Sequence, residues 1–222
     1  MIASESIFTV SKLTDPKNLA EAMNRQDSRE QKIAIDAEYR SLVDKQTWSL
    51  VERSELPKGA KVLTGKLVLK TKRDKDGKIL KYKARWVVRG FEQRYGRDFT
   101  HTYAGVCRNT SWKIAIALAA KFDLEIERMD AVTAFLNSNS DNDIYVEVPP
   151  GWRQPGMSTT YPFVCKLQKA LYGLKQAQRE WYKKFSGFMQ TNGYYKCNAD
   201  HCCYFKRFQS SYIILLLYVD DM

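Results

Sequence analysis

Ile213-Ile214-Leu215-Leu216-Leu217-Tyr218-Val219-Asp220-Asp221-Met222 is the stretch from which this chain is best read. An apolar run of this length, bounded by charge, reads as a strand buried on both faces. Two adjacent carboxylates at its end disfavour each other's ionisation. A divalent cation relieves that repulsion, and hard oxygen ligands suit Mg²⁺. An acidic turn after a core strand is the competing reading, and a third acid elsewhere decides between them. Asp130 is the candidate. It follows Leu124-Glu125-Ile126-Glu127-Arg128-Met129, whose partial alternation reads as a strand. It precedes Ala131-Val132-Thr133-Ala134-Phe135-Leu136-Asn137, so a helix N-cap is its alternative role.

Several further blocks stand in a fixed order. They are Lys81-Tyr82-Lys83-Ala84-Arg85-Trp86-Val87-Val88-Arg89-Gly90-Phe91, then Met129-Asp130 through Asn137, then Ile144-Tyr145-Val146-Glu147-Val148-Pro149-Pro150-Gly151. Val164-Cys165-Lys166-Leu167, Lys169-Ala170-Leu171-Tyr172-Gly173-Leu174-Lys175-Gln176, Trp181-Tyr182 and Tyr218-Val219-Asp220-Asp221 follow. From about Thr47 onward the chain resembles the reverse transcriptase of copia-type (Ty1/copia) LTR retrotransposons. The Ala-Leu-Tyr-Gly-Leu-Lys-Gln block is the most specific part of the likeness. The chain departs from the family's usual residues at Gln31, where a Trp is common, at Leu67-Val68-Leu69, usually Trp-Val-Phe, and at Gly105 and Gln178, usually Pro.

Composition agrees with a folded protein bound to a phosphate-rich partner. Of 222 residues, 44% are hydrophobic and 13% aromatic, which excludes a disordered tail. Residues 58–97 hold fourteen Lys and Arg against three acids, so this window alone carries the +11 of the whole chain. Such concentration is the electrostatic footprint of nucleic acid or nucleotide binding. No apolar run is long enough to span a bilayer, and the start has no basic region of a secretory signal. Five Cys at irregular spacing fit reduced thiols in an intracellular compartment. Adjacent Cys202 and Cys203 would point to opposite sides of a strand, so core thiols are preferred to a zinc site.

The expected elements follow from periodicity and punctuation. Residues 1–26 read as a surface segment, within an N-terminal region 1–46. Asp27 or Ser28 caps a helix to about Lys45 with Ile35, Tyr39, Leu42 and Val43 inward. Strands over Lys66–Arg73 and Lys78–Val88 meet at Asp76-Gly77. Asn109-Thr110-Ser111 caps a core helix to Lys121, a strand covers 124–130, and 138–163 is turn-rich with Pro149, Pro150, Pro155 and Gly156. A helix from Gln176 to about Asn192 buries Trp181, Phe185, Phe188 and Met189 and stops at Gly193. A hairpin of 201–207 and 211–219 leads to the acidic pair.

The resemblance implies an α+β fold: the fingers and palm of a right-hand polymerase over 47–222, with an antiparallel palm sheet backed by helices and no thumb. It implies RNA-directed DNA synthesis from dNTPs on a primed RNA or DNA template, with two Mg²⁺ ions (or Mn²⁺) held by Asp130, Asp220 and Asp221. Ala131 would add a carbonyl ligand. Arg85 would grip the triphosphate with Lys72, or Lys70, beside it. Phe135 would exclude a 2′-hydroxyl, Gln176 would contact the incoming sugar or base, and Tyr218 would lie by the primer terminus. Other polyprotein segments, such as integrase and RNase H, are expected partners, and a cytoplasmic particle or the nucleus the location. Because the sequence ends just after Asp221, this stretch by itself is expected to bind phosphate backbone without extending a primer. The alternative reading is a non-catalytic retroelement relic that retains nucleic-acid binding.

Overall fold

The structure is a computed structural model and describes residues 14–154 and 162–222. The readings of residues 1–13 and of Pro155 and Gly156 fall outside that range. The elements in order are α1 (Leu19–Met23), α2 (Ser28–Asp44), β1 (Trp48–Glu52), β2 (Val62–Leu63), β3 (Gly65–Arg73), β4 (Ile79–Val88) and α3 (Asn109–Phe122). There follow β5 (Tyr145–Val146), β6 (Phe163–Leu167), α4 (Ala177–Thr191), β7 (Tyr195–Lys196), β8 (Cys203–Arg207) and β9 (Tyr212–Leu216). This is a mixed α+β arrangement.

Three sheets carry it. β3 and β4 form a two-stranded antiparallel hairpin, closed where Gly77 takes φ 85°. β1, β6, β5 and β2 form a mixed sheet in that order, with β2 and β5 parallel. β7, β8 and β9 are antiparallel. Alternation explains the hairpin's two faces. Leu67, Leu69, Ala84 and Trp86 are buried and join Ile35, Tyr39 and Leu42 of α2 in one core, while Lys72, Lys81, Lys83 and Arg85 occupy the other face. Glu38 of α2 accepts a hydrogen bond from the Trp86 N–H at 2.9 Å, which satisfies a donor on the outer edge of β4. A second core gathers Trp181, Phe185 and Met189 of α4 with Tyr204, Leu216 and Leu217.

Several expectations are corrected. Val43 is 48% exposed and Phe188 61%, because each lies at the margin of its helix's buried stripe. Gln31 is fully buried and hydrogen-bonds Asp27, which does not cap α2 through its side chain. The helix α3 is capped from a distance. Asp200, 92 residues away from Arg108, accepts from the Arg108 N–H at 2.8 Å and from the Ser111 hydroxyl at 2.6 Å. These bonds and the Cys202 N–H outweigh burial and hold the Asp200 carboxyl below the usual range. Nor is α3 a core helix, since Ile114 and Ile116 are more than half exposed. Residues 124–129 form no strand; only the Met129–Asp130 end is paired. The strand β9 is not buried on both faces, with Ile213 43% exposed. Its free edge lines an apolar groove of about 590 Å³ with α3 and residues 123–129.

The buried acid on α4 sets a pH dependence. Glu180 is 4% exposed, and its Oε1 accepts a 3.3 Å bond from the Asp141 N–H. Burial, abetted by the Asp141 charge, pushes its carboxyl up to about 7. Its unfolded value is about 4.3, so the native state holds the proton more tightly. The associated stability is therefore fully present below pH of about 4.3 and is lost as pH rises through about 7. Glu180→Gln should raise stability at pH 8 by about 1–3 kcal/mol and leave it nearly unchanged at pH 4. Urea midpoints at the two pH values check this, and an equal effect at both would remove the carboxyl from the account.

Candidate active site

The end of β9 turns on two residues. Tyr218 and Asp221 exchange backbone hydrogen bonds of 2.8 and 3.0 Å, which leaves Val219 and Asp220 at the corner. Val219 has φ 59°, a conformation that a β-branched residue adopts only under constraint. Part of the constraint is visible: the Trp181 indole N–H donates to the Val219 carbonyl at 2.6 Å. The turn is thereby tied to α4 and its core.

Against this turn lies the other acid. Asp130 stands opposite Asp221 in an antiparallel bridge. The Ala131 N–H donates to the Asp220 carbonyl at 2.8 Å, and Met129 and Met222 exchange bonds of 2.9 and 2.8 Å. Asp130 is thus no helix N-cap; the short 3-10 helix Ala134–Asn137 begins later, after Thr133. Directly opposed residues in a ladder share a face, and two carboxylates so placed repel. Arg128 answers part of that charge. Its Nη2 and Nε lie 2.8 and 3.2 Å from the Asp221 Oδ1.

The hairpin face lies toward these acids. Lys83 is half-buried, and burial together with Arg85, Lys72 and Lys81 lowers its pKa, while the charge of Asp130 acts on it in the opposite sense. Lys70 is drawn to Asp15 at 2.8 Å, which leaves Lys72 paired in register with Lys81. Arg85 sits over the Tyr172 ring at 5.1 Å, and Phe135 meets the same ring edge-on at 5.2 Å. Burial raises the Tyr172 pKa; Arg85 opposes that shift, and the charge of Asp220 adds to it. Tyr172 is therefore the joint between Arg85 and Phe135. Phe135 also packs against both cores.

Gln176 lies in a hydrogen-bonded network. It is 3% exposed, accepts from Gln93 Nε2 at 2.9 Å, and donates to the Asp98 carbonyl at 3.3 Å. Its amide thereby helps to hold the loop after β4. Tyr218 is 48% exposed at the turn. Sequence reasoning passed over Lys83, Arg128, Tyr172 and Trp181 as members of this neighbourhood. The signal for two of them was available. Lys83 and Arg85 are two apart on one strand, and so are Arg128 and Asp130 along an extended segment, which places each pair on one face.

Among the described residues, no three His, Cys, Asp or Glu side chains form a ready metal cage, and no helix is long and apolar enough to cross a membrane.

Comparison with known proteins gives the family. The reverse transcriptase (RNA-dependent DNA polymerase) family matches residues 45–222. The chain is 46% identical over 209 residues to the retrovirus-related Pol polyprotein from transposon TNT 1-94 of Nicotiana tabacum, covering 94% of this chain and 15% of that protein. It is 31% identical over 209 residues to the Pol polyprotein from transposon RE1 of Arabidopsis thaliana, with 94% and 14% covered. A Ty1-DR4 Gag-Pol polyprotein of Saccharomyces cerevisiae is 27% identical over 204 residues, with 88% and 12% covered. No solved structure matches. The chain thus spans about a seventh of the length of these relatives, and it belongs to the reverse transcriptase family of Ty1/copia-type retrotransposon Pol polyproteins.

Proposed function

We propose that this chain forms the nucleotidyl-transferring part of an RNA-directed DNA polymerase, with β3–β4 as the fingers hairpin and β7–β9, α3 and α4 as the palm. The observation that carries the reading is the bridge between Asp130 and Asp221, which brings together acids 91 positions apart at the turn holding Asp220. The donor set suits a hard divalent cation such as Mg²⁺. The backbone bridge sets Asp130 and Asp221 opposite each other, and such an ion completes its shell with substrate phosphates and water rather than with a protein cage. When bound, the ions supply charge neutralisation at the attacking and leaving oxygens. Asp130, Asp220 and Asp221 would hold them, with the Ala131 carbonyl as a further oxygen.

The remaining work falls to side chains. Arg85, Lys72 and Lys83 offset the charge of the dNTP triphosphate, with Arg85 held in place over Tyr172. Phe135, buttressed by Tyr172, lies under the sugar and excludes a 2′-hydroxyl. Tyr218 presents its ring to the primer end, and Gln176 acts indirectly by fixing the loop through Gln93 and Asp98. Positioning and electrostatics of this kind supply most of the catalysis in phosphoryl transfer. The partners are a primed template and the adjoining polyprotein segments. The test is RNA-templated primer extension by a complete Pol polyprotein carrying this chain. Extension that requires Asp130 supports the reading, and extension indifferent to Asp130→Asn overturns it.

Arg128 makes a separate expectation. Its guanidinium competes with a metal ion for Asp221, so Arg128→Ala should tighten Mn²⁺ binding by about 3- to 10-fold, as expected for loss of one exposed positive charge. Asp221→Asn should weaken it. Paramagnetic titration of Mn²⁺ measures both, and unchanged affinity in Arg128→Ala would leave Arg128 without this role.

A further inference from the structure

The hairpin β7–β8 carries two thiols face to face. Tyr195 pairs with Phe205 and Lys196 with Tyr204, so the next position sets Cys197 opposite Cys203. The Cys197 N–H donates to the Cys203 carbonyl at 2.9 Å. The Cys203 N–H goes instead to the Asp200 carbonyl at 3.0 Å, and opposite residues in an antiparallel ladder have Cα atoms about 4.5–5.5 Å apart, within the range of about 4.4–6.8 Å that a disulfide spans. Both side chains are half-buried. The other three cysteines are placed differently. Cys202, just before β8, is 1% exposed and belongs to the second core, against whose margin the partly buried Cys203 also packs. Cys107 is buried with its thiol against Asp200, and Cys165 is buried in β6.

We propose that Cys197 and Cys203 form a reversible cross-strand disulfide, a redox-modification site whose oxidant is a peroxide. The thiolate of Cys197, which directly follows β7, attacks a peroxide oxygen and expels hydroxide, giving a sulfenic acid. The Cys203 sulfur then attacks the Cys197 sulfur, the S–O bond breaks, and the proton of Cys203 leaves with the departing hydroxide as water. Two thiols and one hydrogen peroxide become one disulfide and two waters. Burial, with the Cys197 and Asp200 charges adding, pushes the Cys203 thiol up to about 11, so little of it is thiolate at neutral pH. The bond would close the loop 198–202 that supports the acidic turn. Within that loop Asp200 caps α3, and the Cys202 carbonyl accepts the Leu217 N–H at 2.8 Å, next to Tyr218.

The experiment treats the folded chain with hydrogen peroxide at neutral pH and counts free thiols after denaturation. Two of five thiols should disappear and return with dithiothreitol. Trypsin, cutting after Lys196 and Lys206, should release a peptide 197–206 lighter by about 2 Da. That loss should persist in Cys202→Ser and vanish in Cys197→Ser and Cys203→Ser. Fragmentation of the wild-type peptide locates the bond without recourse to variants, should a serine disturb the fold. Retention of all five thiols, a bond involving Cys202, or oxidation only to sulfinic acid would each overturn the proposal.

Discussion

Asp220→Asn should reduce RNA-templated primer extension by a complete Pol polyprotein about a thousandfold or more, with little change in stability. The expectation follows from where Asp220 stands. It occupies the corner of the Tyr218–Asp221 turn, it contributes its carbonyl to the Ala131 N–H, and its charge reaches Tyr172. Asparagine keeps the volume, the backbone bonds and the tolerance for a turn. It removes only the negative charge. A single preorganised charge or donor at the reacting centre is commonly worth a factor of about 10²–10³, and a ligand shared between two metal ions is worth more. Asp221 is a less clean probe, because its substitution also frees Arg128. Single-turnover extension and a thermal melt of the same preparation measure the two halves of the prediction. A variant that extends primers within tenfold of the wild-type rate would place Asp220 outside the chemistry.

The parts of this arrangement legible in the sequence are those fixed by local pattern. The β3–β4 hairpin follows from two runs of alternating residues around Asp76-Gly77, and the structure closes it there with Gly77 at φ 85°. The helix α4 follows from the spacing of Trp181, Phe185 and Met189 and from Gly193 at its end. The errors share a different origin. Asn109-Thr110-Ser111 has the composition of an N-cap, yet Asp200 supplies the cap to α3 from another part of the chain. No local rule sees a partner 92 residues away. Phe188 and Val43 satisfy the helical period but stand where their neighbours do not reach. Gln176 illustrates the limit for the site itself. Its position in the Leu-Lys-Gln block points to the substrate, while the pairing with Gln93 and the Asp98 carbonyl that occupies its amide comes from a loop 78 to 83 positions earlier. The Asp130–Asp221 bridge is likewise long-range, and only the resemblance to a family joined those residues before the fold did.

Gly173→Ala should cost at least about 4 kcal/mol and largely unfold the chain or displace β4, the greatest loss of stability expected from any single methyl group here. Gly173 lies in the Ala170-Leu171-Tyr172-Gly173 block with φ +91°, where an alanine is strained by its backbone alone. The space is closed as well. A Cβ there would overlap the Val88 carbonyl oxygen and stand 2.7 Å from Val87 Cγ1 and 3.0 Å from the Val88 carbonyl carbon. Backbone atoms cannot rotate aside as a side chain can. The close approach is reciprocal, since a Cβ on Gly90 would overlap the Gly173 carbonyl oxygen. Between the two glycines the Val88 N–H donates to the Tyr172 carbonyl at 2.8 Å, so the end of β4 and the Tyr172 turn are locked backbone to backbone. That lock sets Tyr172 beneath Arg85, and moving it would shift Arg85 relative to the acidic turn before any catalytic group is altered. A domain of this size is stable by about 5–15 kcal/mol, so the expected loss consumes much of the total. Gly187 is the control. It lies exposed within α4 with nothing inside 4 Å of an added Cβ, so Gly187→Ala should stabilise by about 0.5–1 kcal/mol through helix propensity. Urea titration of both variants decides the matter: a loss below about 1 kcal/mol in Gly173→Ala would mean that the turn relaxes away from β4, and the lock would not be what positions Arg85.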